Sequence, residues 1–267
     1  MHKHPYYTTV INLTNGGLNM LKKYYATAGL TLFFISTGIS REVILFEDFE
    51  DATITYTSSI PDDLTGISNL NYYGRIAADT APTVPAALSY TNLQGSSYYG
   101  AQDINAANSD TLNSITLNWT GIDISSYIDL ELSWFVAEDD AADAAEDWDS
   151  TSSMQLSIQL DGAGFERIFA IEAESVAGNE TNQMPRIDTD FDGIGDGNEI
   201  SDSFTIYSST IADATTLDIR LIFESLNAGD EDIAFDSLLL TGTGPAVIPE
   251  PHFISIIVIA GLWGMIR

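Results

Sequence analysis

The 267-residue chain has no cysteine, and its three histidines, His2, His4 and His252, all lie near the ends. A cysteine nucleophile and disulfides are therefore excluded, and a Ser-His-Asp triad or His/Cys zinc site is excluded from the long interior. Lysine is equally scarce: Lys3, Lys22 and Lys23 are the whole complement. Schiff-base chemistry and a P-loop each need a lysine farther along, so neither belongs to the body of the chain. Positive charge is rare altogether, with 9 Lys plus Arg against 39 Asp plus Glu and a formal charge of −30. Between Arg41 and Ile248, 38 acids face five arginines: Arg41, Arg75, Arg167, Arg186 and Arg220. Such a field repels phosphate backbones and excludes nucleic acid as a partner, while it attracts cations. Carboxylates and tyrosines are the remaining acid–base groups. The charge does not imply disorder, because 45% of residues are hydrophobic and 10% aromatic, enough for a full core.

The two ends differ from the middle. MLKKYY, starting at Met20, reads as a basic leader, and ATAGLTLFFISTGI (residues 26–39) as an apolar stretch before small residues at Gly38 and Ser40. That is the layout of a secretory signal peptide with its signal helix, assigned to residues 1–40. Met20 as the true initiator would make residues 1–19 a mis-start. At the other end a Gly/Pro linker leads to Pro249, Glu250 and Pro251, then FISIIVIAGLWGMI (residues 253–266) and Arg267. This tail, over about the last 19 residues, resembles a PEP-CTERM sorting signal of exported proteins in certain Gram-negative bacteria. The resemblance implies export machinery and an exosortase as partners, and a location at the cell surface or in the extracellular matrix. Membrane contact would be confined to the terminal segments and transient. The apolar run has 14 residues, short of the ~20 a full bilayer span uses, and a single Arg stands for the usual basic cluster.

Residues 41–243 read as one domain of period two. SITLNW (114–119), IDLELSW (128–134), MQLSIQL (154–160), FTIY (204–207) and LDIRLIF (217–223) alternate apolar with polar. Further strands are expected at 43–49, 53–57, 165–171 and 233–240, and a short helix only at 140–146. About a dozen strands with no long helices imply an all-β, antiparallel β-sandwich of jelly-roll type, with Trp119 and Trp134 in its core. The doublet NYYG (71–74) and SYYG (97–100) is too short to imply duplication.

The sharpest motif is DTDFDGIGDGNE (188–199), which fits D-x-D-x-D-G-x5-E over all 12 residues. Calcium wants six to eight oxygens, and alternating acids in a tight turn deliver them. Asp188, Asp190 and Asp192 supply carboxylates, Ile194 a carbonyl, Asp196 a direct or water-mediated oxygen, and Glu199 a closing bidentate carboxylate. The segment resembles an EF-hand-type calcium loop, but Pro185 precedes it and a strand pattern follows where helices would stand. Gly195 also replaces the usual apolar residue. It is expected to be a lone calcium loop between strands. A second group, Glu47 and Glu50 near the first strand with Asp236 in the last, resembles the structural-calcium pattern of jelly-roll carbohydrate-binding modules. The resemblance implies a second metal site without fixing any individual ligand. A third acidic group, Glu138 to Asp149, surrounds Trp148.

Three functions remain open. One is an exported, non-catalytic surface or matrix protein with structural calcium that holds extracellular polysaccharide through Tyr72, Tyr73, Tyr98, Tyr99 and Trp148. Another is a secreted glycoside hydrolase using paired carboxylates, for example within 138–149, although so many acids nominate no particular pair. The last is a structural or adhesive layer component bridged by calcium. No catalytic residue is assigned, and the chain is expected not to be an enzyme.

Overall fold

The computed structural model describes residues 41–51, 53–77, 90–107, 112–139, 148–174 and 183–245. The signal segment, the expected helix at 140–146 and the Pro-Glu-Pro tail lie outside the described residues. Those described form twelve strands: β1 Arg41–Glu47, β2 Thr57–Ser58, β3 Tyr72–Ala77, β4 Ser97–Gln102, β5 Ser114–Asp123 and β6 Ile128–Ala137, then β7 Ser153–Leu160, β8 Glu166–Ala173, β9 Pro185–Ile187, β10 Thr205–Ile211, β11 Thr216–Glu224 and β12 Asp232–Thr243. One helical turn, α1 Ile104–Ala107, and a 3-10 turn at Ile67–Asn69 interrupt them.

The strands make two six-stranded antiparallel sheets. The front sheet has the order β10-β6-β12-β4-β3, with β1 also paired to β12, and the back sheet the order β2-β5-β11-β7-β8-β9. Strands near in sequence alternate between sheets: β4 front, β5 back, β6 front, β7 back, and again β10, β11, β12. This is jelly-roll connectivity. β12 organises the front sheet. It pairs with β6 on one side, and on the other with β4 along Asp232–Phe235 and β1 along Leu238–Thr243. The first and last strands are neighbours.

Alternation determines the core. Leu130, Leu132, Trp134 and Val136 of β6 point inward, and Leu217, Ile219, Leu221 and Phe223 of β11 meet them from the back sheet. Trp134 packs edge-on against Phe169 at 5.3 Å between ring centroids, and Tyr99 stacks on Phe223 at 5.5 Å. Trp119 is buried, and its indole N–H donates to Thr55 Oγ1 at 2.9 Å.

Three features depart from the alternation reading. The expected strand at 53–57 shrinks to β2, because the Thr55 N–H donates to the Glu47 carboxylate at 2.8 Å instead of to a neighbouring strand. The doublet tyrosines lie on two unexpected strands, β3 and β4, which pair so that Gly74 faces Gly100. Consequently Tyr72, Tyr73, Tyr98, Tyr99 and Trp148, expected at a sugar-binding surface, are interior. Tyr73, Tyr99 and Trp148 join the main core. Tyr72 and Tyr98 enter a second cluster with Ile76 and Phe204, against which Leu64, Ile67, Tyr90, Leu93 and half-buried Phe135 pack. Among the described residues, that cluster covers the outward face over β3 and β4, while the face over β1, β6 and β10 carries exposed Phe46 and Ile206.

Candidate functional site: an acidic loop and an open groove

The motif at 188–199 forms a loop against the edge of the back sheet. Ile187 N–H donates to the Asn198 carbonyl at 3.0 Å, and Gly197 N–H to the Ile187 carbonyl at 2.7 Å, closing its base. Asp188 is 1% exposed and organises the turn. Its Oδ1 accepts from Phe191 N–H at 2.7 Å and its Oδ2 from Gly193 N–H at 2.9 Å. Gly193 takes φ 91°, a left-handed conformation that favours glycine. Gly195 lies where a Cβ would come within 2.4 Å of the Glu172 carbonyl, so the glycine is a packing requirement against β8. That explains why an apolar residue is absent there.

Asp188, Asp190 and Asp192 converge, each offering a carboxylate oxygen within 4.8 Å of the others, and such a group can hold a metal ion. Asp192 repulsion, more than any other cause, raises the Asp190 pKa. The remaining acids of the motif are engaged nearby. Asp196 Oδ1 accepts from Thr189 N–H and Oγ1, at 3.0 and 2.8 Å. Glu199 pairs with Arg186 at 2.9 Å, and Arg186 also reaches Glu174 at 3.0 Å. Ile194 N–H donates to Asp192 Oδ1 at 3.1 Å.

Glu47, Glu50 and Asp236 do not converge as Asp188, Asp190 and Asp192 do, although Glu50 is near enough to Asp236 to help raise its pKa. Glu47 is buried and ties the β1–β2 connection, accepting from Phe49 N–H, Thr55 N–H and Thr55 Oγ1. Glu50 reaches across to the segment before β4, where it accepts from Ser96 N–H at 2.5 Å, Ser96 Oγ at 2.6 Å and Ser97 N–H at 2.7 Å. Burial opposes its ionisation, but these bonds outweigh it and its pKa is lowered. Asp236 is fully buried, accepts from Gln94 N–H at 3.3 Å, and is pushed up to about 7, chiefly by burial.

A further acidic network closes one end of the sandwich. Glu231, fully buried, accepts from Asp149 N–H at 2.9 Å, Ser152 Oγ at 2.6 Å, Ala228 N–H at 2.9 Å and Asn227 N–H. Tyr90 OH donates to Asp232 at 2.6 Å, and Asp139 N–H donates to the same oxygen at 3.1 Å. Glu138 and Asp139 are buried, whereas 140–147 lie outside the described residues. These carboxylates join loops and strands.

The front-sheet face over β1, β6 and β10 carries a groove of about 400 Å³. Cross-strand register fixes its floor: Phe46 faces Leu239, which faces Ser133, and in the next row Phe135 faces Ile206 on one side and, outside the lining, the buried Asp236 on the other. Residues directly opposite share a face, so all six lie opposite the inward-pointing Leu132 and Trp134. Phe46 is 47% exposed and Ile206 57%. Asp48, Glu50 and Gln94 line one side, and Ser133 and Ser237 add hydroxyls. Phe46, Phe135, Ile206 and Gln94 are absent from the sequence-based assignment. A signal existed: Phe135 breaks the phase of β6, and Ile206 shares a face with Phe204, so two strands are apolar on both faces.

No family model matches the sequence, and no curated protein matches it. Solved structures of similar shape include a xylan-binding domain from CBM22, at 11% identity and TM-score 0.37, with 77% of this chain and 97% of that one covered. Another is the K1 cleaved adhesin domain of Lys-gingipain from Porphyromonas gingivalis W83, at 14% identity and TM-score 0.41, covering 77% and 99%. A third is TmCBM61 in complex with β-1,4-galactotriose, at 8% identity and TM-score 0.36, covering 69% and 86%. At these scores the similarities fix neither ligand nor activity for this chain.

Proposed function

We propose that this chain is a non-catalytic carbohydrate-binding β-sandwich, stabilised by calcium at the 188–199 loop, that is exported and held at the cell surface. The observation that carries the reading is the groove. Phe46 and Phe135 offer ring surface to the C–H face of a pyranose, Ile206 and Leu239 extend the apolar floor, and Gln94, Ser133, Ser237 and Asp48 offer partners to hydroxyls. An open trough suits a chain-like ligand. The three converging aspartates support calcium, since a divalent ion relieves their mutual repulsion and adds stability by binding the folded form alone. Export and surface sorting rest on the terminal sequences.

The hydrolase alternative needs a proton donor that reaches a glycosidic oxygen. Asp236 has a suitably raised pKa and shares the groove face, but it is fully buried. Glu50 has both carboxylate oxygens engaged by Ser96 and Ser97. Neither is placed as an acid–base pair, which favours binding over cleavage.

Affinity gel electrophoresis against a panel of soluble polysaccharides, with millimolar calcium, tests the reading. Retardation by at least one polysaccharide, weakened about tenfold or more by Phe46→Ala, is expected. Free migration through the whole panel contradicts it.

A further inference from the structure

Resting on the carbohydrate reading, we infer that the groove selects glycans bearing free amino groups, that is, polymers of de-N-acetylated hexosamine, over neutral or N-acetylated ones. The argument is charge complementarity within a shaped site. Among the described residues, the groove lining holds no Lys, Arg or His, whereas Asp48 and Glu50 stand along one wall. Glu50 is a fixed anion, held by two backbone N–H groups and a hydroxyl from Ser96 and Ser97. Asp48 is tethered through one oxygen, which accepts from Glu50 N–H at 3.2 Å.

The acidic character continues along the same sheet. A second trough of about 490 Å³ is lined by Asp129, Glu131 and Asp213 together with Arg41. Arg41 and Glu131 pair at 3.1 Å and offset each other, which leaves Asp129 and Asp213 as the unbalanced charges of this trough. An extended cationic polymer would meet carboxylates along both troughs, with Phe46 and Phe135 providing the sugar-ring contact that a simple cation cannot use. Carboxylate-bearing glycans would be repelled.

The chain's overall negative charge attracts any cation, so the test must separate the groove from the general field. Calorimetric titrations of the full chain with a β-1,4-linked glucosamine tetramer, its N-acetylated counterpart, a β-1,4-linked glucose tetramer and tetralysine make that separation, at low ionic strength and at ~0.3 M salt. The glucosamine tetramer is expected to bind about tenfold or more tighter than its acetylated counterpart at low salt. That advantage should shrink in high salt and in Asp48→Asn, which keeps the acceptor for Glu50 N–H, while Phe46→Ala weakens every sugar. Equal affinity for the amino and acetylated tetramers would overturn the charge selectivity and leave the carbohydrate reading standing. Tetralysine binding as tightly as the amino sugar, and indifferent to Phe46→Ala, would overturn it in favour of a generic cation surface. Absence of heat with every sugar would remove both.

Discussion

Buried carboxylates carry much of the specificity at the residue scale, and each is held differently. Glu231 satisfies three backbone N–H groups and one hydroxyl at once. Removing it leaves buried donors unpaired, so Glu231→Ala is expected to cost about 3 kcal/mol or more, read from the shift in urea midpoint. Glu231→Gln should cost less, because one oxygen still accepts. The loop acids behave in the opposite sense. Asp190 is exposed and repelled by Asp192, so Asp190→Asn should raise the melting temperature in chelator while weakening calcium binding about tenfold. A melting temperature that falls equally with and without calcium would contradict a metal role for this loop. The 12-residue spacing made Asp188, Asp190 and Asp192 legible as a group. The pairing of Glu199 with Arg186 was not legible, because the partner precedes the motif and meets it only through a bridge between the two chain segments.

Legibility at the scale of elements followed solvent. β5, β6, β7 and β11 read directly from alternation because each has one face in the core and one less buried. β3 and β4 were hidden, since the second cluster buries their outward face and both members of each Tyr-Tyr pair are interior. Apolar residues then stand side by side, and period two disappears from the sequence. The same masking hid the groove, whose Phe135 sits between inward-pointing Trp134 and Val136. Tyrosines next to polar, turn-forming residues looked like a binding surface and are packing instead. The Gly74–Gly100 pair shows how tightly the cover is fitted. Gly74 has φ 140°, and a Cβ there would lie 2.6 Å from Asp62 Cβ. Gly74→Ala is expected to destabilise by about 2 kcal/mol through strain and displaced packing, seen as an earlier denaturant midpoint. Faster amide exchange in residues 61–71 than in the back sheet would localise the damage to the cover.

Charge governs behaviour at the scale of the whole molecule. Four of the five arginines in the sandwich are committed to ion pairs, and the fifth, Arg220, lies over the Phe165 ring at 3.7 Å. Three buried acids set the pH response: Glu172 and Asp236, with pKa values pushed up to about 7, and Glu231, also raised, burial being the main cause for all three. Their folded pKa values lie above those of the unfolded chain, so between about pH 4 and 7 the folded form holds protons that the unfolded form releases. Stability in chelator should therefore fall as pH rises through that window, by an amount on the order of a few kcal/mol, and level off above it. Urea midpoints at pH 5 and pH 8 check the sign. Calcium should flatten the slope, because Asp188 also raises Glu172 and a bound ion would offset its charge.

The carbohydrate claim is tested most directly by residue-resolved NMR shifts during titration with glucose and glucosamine tetramers in millimolar calcium. Saturable shifts clustered at Phe46, Ser133, Phe135, Ile206 and Leu239, with the back sheet unmoved, are the expected result. Silence at those positions with both sugars, or shifts gathered on the back sheet instead, would contradict the assignment of the front-sheet groove.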